Sequence, residues 1–187
     1  MLDRCRRRAA VLGIDVVLHE SSIESMELGR TYRSIFLAGP TFDLLADDDT
    51  AGRALQRIAL HLAPDGRVLI PLFVPPVVGQ RAIGSGPVHT DDDGTVLRCI
   101  TVSVTRDELA RRQTTRLRYE RSRFEGTTGA TGATEVLERD WILHWYTQEG
   151  FTELAAAAGL AVVRVVGVDG SPATADAAEF VFLLGHR

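Results

Sequence analysis

The most constraining stretch of the chain is residues 51–76, where "AGRALQRIALHLAPDG" runs directly into "RVLIPLFVPP". In the first part Leu55, Ile58, Ala59 and Leu62 recur at i, i+3, i+4 and i+7, which predicts an amphipathic helix ended by "PDG" and capped by Asp49 or Thr50. The second part is a continuous apolar run stopped by two prolines, which predicts a strand buried on both faces. A helix that delivers the chain into such a strand builds a crossover unit of an α/β fold, and "YRSIFLAGP" upstream supplies the parallel neighbour. "IDVVLHE", residues 14–20, reads as one more strand. The segments up to Pro76 are thus expected to lie side by side in one direction, in a mainly parallel sheet covered on both faces.

Ahead of these strands, Leu2, Cys5, Ala9 and Leu12 share one face of a predicted surface helix that Gly13 stops. After Pro76 the period changes to two. "TVLRCITVSV", "TTRLRYERSRF" and "EVLERDWILHWY" predict an antiparallel sheet inserted at about 88–146, one face packed and one wet. In the last segment Leu137, Trp141, Leu143 and Trp145 take the packed phase, with both tryptophans read as core, and Glu138, Asp140 and His144 take the wet one. "TQEGFTELAAAAGL" returns to helix, with Thr147 as cap and Phe151, Leu154, Ala155 and Ala158 as its buried stripe, before the closing strands "AVVRVVGV" and "FVFLLGH". A length of 187 residues, 45% of them hydrophobic, suits one domain.

A formal net charge of −4 gives no global attraction to nucleic acid or to an anionic membrane. The arginines of "RQTTRLRYERSR" fall in a strand period and read as a solvated face. No apolar run is long enough for a membrane span and no leader follows the first arginines, so a cytoplasmic protein with a small-molecule ligand is expected. Cys5 and Cys99 are isolated and read as packing residues. His19, His61, His89 and His186 lack a companion at metal-ligand spacing, so no metal site is expected. "IGSGP" and "GTTGATGA" do not sit between a strand and a helix and read as flexible connectors.

Four landmarks in order resemble the C-terminal two thirds of a class I S-adenosylmethionine-dependent methyltransferase. They are "MLDRC", "VVLHESSIESMEL", "ALQRIALHLAPDGRVLIPLF" and "WILHWYTQEGFTELAAAAGLAVVRVVG". The resemblance implies a Rossmann-like sheet of order 3-2-1-4-5-7-6 with an antiparallel last strand, of which this sequence carries the counterparts of strands three to seven. It implies a single truncated domain over 1–187, with the first two strands and the glycine-rich cofactor turn lacking.

The same resemblance implies methyl transfer to a small-molecule acceptor with S-adenosylmethionine as cofactor. It places Ser22, Ile23 and Glu24 at the adenine, with Ser22 where an aspartate is usual, and Leu37, Ala38 and Gly39 facing the cofactor from the other side. Phe73, Tyr119 and Tyr146 are the aromatic candidates for the acceptor. His144 is the candidate general base. Two other readings stay open: a non-catalytic methyltransferase-like binding or interaction protein, and an independent antiparallel ligand-binding sheet. Unpaired strand edges would favour a homodimer.

Overall fold

The computed structural model describes residues 2–77, 79, 82–125, 130–131 and 134–187. The chain opens with α1 (Leu2–Val11), β1 (Tyr32–Phe36), α2 (Asp48–His61) and β2 (Leu62–Phe73). The insertion follows as β3 (Val88–Thr90), β4 (Thr95–Asp107), β5 (Arg112–Glu125), β6 (Ala130–Thr131) and β7 (Glu135–His144). It closes with α3 (Gln148–Ala157), β8 (Leu160–Val166) and β9 (Glu179–His186).

β1 and β2 pair in parallel, with Ile35 opposite Val68 and Phe36 opposite Leu69, and α2 forms the crossover between them. The sheet order is β1-β2-β9-β8, in which β9 runs antiparallel to both its neighbours. Three strands therefore share one direction, but only one neighbouring pair is parallel, and the sheet is mixed rather than mainly parallel. Side chains on its inner face, Val68, Ile70 and Leu72 from β2 and Phe180, Phe182 and Leu184 from β9, are fully buried against Leu55 and Ile58 of α2 and Phe151 and Ala155 of α3. Each such side chain is worth about 1.5–3 kcal/mol when taken out of water. This layer is the core of the molecule.

Several local expectations change. The cap of α2 is Asp47, whose side chain accepts the Thr50 N–H at 2.8 Å, because a capping oxygen must stand ahead of the free amides that it satisfies. The helix ends at His61, before "PDG"; Leu62 is already extended and Pro64, which has no N–H to offer a helix, lies in β2. "IDVVLHE" forms no strand: Ile14, Val16 and Val17 are exposed and no ladder reaches them. A lone extended segment gains no ladder hydrogen bonds, and among the described residues no strand lies beside the outer edge of β1. The sheet is covered on one face only among the described residues; Phe36, Leu69 and Val163 are exposed on the other, Phe36 at 73%. In α1 only Ala9 is buried, and Cys5 is exposed rather than packed.

The inserted strands form an antiparallel sheet of order β3-β4-β5, with β7 and the short β6 also pairing with β5. Across β5 and β7 three arginines meet three acids in direct register: Arg116 with Asp140, Arg118 with Glu138 and Arg121 with Glu135. That settles the arginine-rich segment as a salt-bridged ladder. "IGSGP" is a structured edge rather than a loose connector, since Gly84 donates to the Thr101 carbonyl, while Thr101 and Cys99 donate to the Ser85 and Pro87 carbonyls. A Cβ at Gly86 would overlap the Cys99 carbonyl oxygen. "GTTGATGA" falls mostly outside the described residues.

Candidate functional site

In an open α/β sheet ligands collect at the carboxyl ends of the parallel strands. Here those ends belong to β1 and β2. β1 leaves the sheet through Leu37, whose N–H donates to the Leu69 carbonyl at 3.1 Å, then Ala38 and Gly39. Gly39 takes φ +66°, a left-handed turn that suits glycine, and a Cβ there would meet open space. Gly39 and Pro40 line a cavity of about 400 Å³ with Pro71, Phe73, Val168 and Val181. Two of the residues proposed from sequence, Gly39 and Phe73, are thus brought together.

Beside that cavity lies Asp43, which sequence reasoning missed. The turn Thr41–Leu44 carries it inward until it is fully buried. One carboxyl oxygen, Oδ2, accepts the Phe73 N–H at 3.1 Å, whereas Oδ1 has no hydrogen-bond partner among the described residues. Burial raises its pKa from 3.8 to about 7, the Phe73 hydrogen bond only partly opposing this. The available signal was an acid set within apolar neighbours, "FDLL".

Phe42, next in the chain, packs its ring against Tyr146 and Phe151. Tyr146 is 1% exposed, and its hydroxyl lies 2.9 Å from His144 Nδ1. His144 is 5% exposed, not on a wet face, because β7 enters the core at its last residues and both strand phases are covered there. Its Nε2 lies 3.6 Å from Asp48, which also pairs with Arg111, and Arg111 stands over the Tyr146 ring. In the tautomer that suits both neighbours, Tyr146 O–H donates to Nδ1 and Nε2–H faces the carboxylate. Burial depresses the His144 pKa, with Asp48 pulling the other way, and burial raises that of Tyr146. The arrangement holds a neutral imidazole beside a group able to steady its cation. Asp48 and Arg111 lie far from His144 in sequence, and no local motif marked them.

The other proposed residues lie elsewhere. Ser22 precedes the single turn Ile23–Ser25; Ile23 packs on the core, Glu24 is half-buried and Ser22 is exposed. His61 steadies the chain just beyond, its ring nitrogens lying 3.1 Å from the Arg30 carbonyl and 3.3 Å from that of Met26. Tyr119 is 41% exposed and pairs with Leu137, while His144 pairs with Arg112, so the two sit at opposite ends of the β5·β7 ladder, roughly 23 Å apart. Tyr119 lines a separate cavity of about 620 Å³ with Leu97, Cys99 and Leu137. Trp145 is buried under Arg106, whose guanidinium stands 4.1 Å from its ring centroid. Trp141 is 45% exposed rather than core, because β7 has already left the packed layer at that point. Among the described residues no cluster of His, Cys, Asp and Glu could hold a metal ion. No helix among them is long and apolar enough to cross a membrane.

Solved structures share this arrangement along almost the whole chain. An S-adenosylmethionine-dependent methyltransferase from Clostridium acetobutylicum superposes with a TM-score of 0.74 at 11% identity, covering 99% of this chain and 70% of its own. The chain has the fold of the class I S-adenosylmethionine-dependent methyltransferases. The CcbJ methyltransferase of Streptomyces caelestis matches with a TM-score of 0.69 at 19% identity, over 100% of this chain and 75% of its own. The sugar N-methyltransferase KedS8 of a Streptoalloteichus species gives 0.64 and 19%, over 97% and 67%. The observed order β1-β2-β9-β8, with β9 antiparallel, agrees with the order four-five-seven-six that the sequence resemblance implies for these segments. No family model and no curated protein matches the sequence.

Proposed function

We propose that this chain serves S-adenosylmethionine-dependent methyl transfer to a small-molecule acceptor. The observation that carries the reading is the sheet itself: an antiparallel strand set between two strands that share a direction, with a cavity at the ends of β1 and β2. Neighbours with this fold include an S-adenosylmethionine-dependent enzyme and a sugar N-methyltransferase, which supports a soluble organic acceptor.

Two features fit such a cofactor. The left-handed turn at Gly39 leaves open space beside the strand ends, and the orphaned Asp43 oxygen is a buried acceptor suited to a cationic ligand. Leu37, Ala38 and Gly39 would form one wall of its site, with Phe73 toward the acceptor; Ser22, Ile23 and Glu24, which the resemblance assigns to the adenine, do not line this cavity. When bound, the cofactor supplies an electrophilic methyl group on a sulfonium. Direct displacement needs alignment more than a strong base. His144 is assigned the base role through Tyr146: as the Tyr146 oxygen takes a proton from the acceptor, its own phenolic proton would pass to His144 Nδ1, and Asp48 at Nε2 would steady the imidazolium.

One observation favours a second reading, a methyltransferase-like binding protein without catalysis: Tyr146 and His144 are almost wholly buried, as polar groups of a purely structural core are. Calorimetric titration with S-adenosylmethionine, followed by a methyl-transfer assay on amino and hydroxy sugars, separates these. Binding with transfer supports the enzyme. Binding without transfer on any acceptor supports the second reading, and no binding at millimolar cofactor rejects both forms of the cofactor site.

A further inference from the structure

Asp43 is used by nothing in the fold that a neutral residue could not do. Its one hydrogen bond, from Phe73 N–H to Oδ2, needs only an acceptor, and asparagine offers one. A fully buried carboxyl with an unpartnered oxygen is costly to keep. Its position is specific: it is tied to the last residue of β2, and that residue, Phe73, forms part of the cavity wall at the strand ends. A carboxylate in a desolvated place acts on a nearby charge much more strongly than one at the surface.

We propose that Asp43 is the counter-charge through which this site distinguishes the sulfonium of S-adenosylmethionine from the neutral thioether of S-adenosylhomocysteine. The inference rests on the cofactor reading above and gives it a charge-sensing residue. Ionised Asp43 stabilises the cationic ligand and is indifferent to the neutral one. By reciprocity, the cation draws the proton off Asp43 and releases it to solvent, whereas the thioether does not. A spent cofactor is thereby held less tightly than a fresh one.

The surrounding charges narrow the test. Tyr146 and His144 face the turn from the end of β7, Asp47 and Asp48 from the start of α2, Arg111 from the β4–β5 turn, and Glu179 stands opposite Phe73 on β9. Of these, His144 is the other group that loses charge on the way up to neutrality, burial holding its pKa below the usual histidine value, so it must be separated from Asp43.

The experiment is calorimetric titration of the whole chain with S-adenosylmethionine and with S-adenosylhomocysteine at pH 6 and pH 8. It is run on the wild type, Asp43→Asn and His144→Asn, with the asparagine variant at 43 as baseline for titration of the ligands themselves. The preference for the sulfonium should match that baseline at pH 6 and exceed it by about tenfold at pH 8, and His144→Asn should retain this gain. On the wild type alone, binding of the sulfonium near pH 7, where about half of Asp43 is protonated, should release up to about half a proton, seen as heat that varies with the buffer's ionisation enthalpy, and the thioether should release none. Binding of both ligands with no pH-dependent preference, or a preference that survives in Asp43→Asn and vanishes in His144→Asn, overturns the proposal while leaving the cofactor reading intact. Failure of both ligands to bind the wild type overturns the cofactor reading itself.

Discussion

The two sheets of this molecule are held together by different physics. The sheet of β1, β2, β8 and β9 has a fully buried inner face pressed on α2 and α3. Among the described residues the inserted sheet has no comparable layer: Leu97, Val136, Leu137 and Trp141 are all exposed, and its coherence comes from long hydrogen-bonded ladders and the arginine–acid pairs on β5 and β7. Burial is cooperative and insensitive to salt, whereas exposed ion pairs are each weak and screened. One chain thus carries a part that sets global stability and a part that can vary in sequence at little cost.

The sharpest way to break this contrast is Phe182→Ala, which empties the middle of the packed layer. It should cost about 4 kcal/mol, read from urea unfolding, and an effect under about 1 kcal/mol would mean that the layer is not the core it is taken to be. Next in size is the pH dependence set by Asp43. Its folded pKa of about 7 lies above the unfolded 3.8, so folding favours the protonated form. That contribution is complete below about 3.8 and is lost as pH rises through 7. The wild type should therefore lose roughly 3–4 kcal/mol of stability between pH 4 and pH 8, and Asp43→Asn should flatten that slope and be the more stable protein at pH 8. Thermal unfolding across pH reads it.

Smaller again is Thr147→Ala. This removes the cap that accepts the Gly150 N–H at the start of α3, and about 1 kcal/mol should be lost in denaturant melts. Smallest is Arg118→Ala in the inserted sheet. It should cost about 0.5 kcal/mol at low salt and almost nothing in molar salt, and a loss several times larger would show that the ladder is more than a solvated face.

Much of the packed layer was legible because periodicity reports burial. The stripe on α2, the continuous run of β2 and the Thr147 cap are local signals and need no knowledge of the remaining chain. What was not legible depends on partners. "IDVVLHE" has strand chemistry, yet a strand exists only where a neighbour completes its ladder. Trp141 and Trp145 share a phase, but β7 enters the core only at its end, so one is exposed and the other buried. The same geometry buried His144 against the alternation of its strand. At the strand ends, Gly39 and Phe73 were placed by the family resemblance. Asp43, Asp48 and Arg111 could not be, since their environment is assembled from the turn after β1, the start of α2 and the β4–β5 turn.

Gly86, squeezed against the Cys99 carbonyl, bears on how the inserted sheet finds its alignment. A one-residue slip of this edge along β4 would drive the Ser85 or Pro87 side chain into main-chain atoms. The lone hydrogen side chain thus works as a ratchet tooth, penalising a one-residue offset in either direction during assembly.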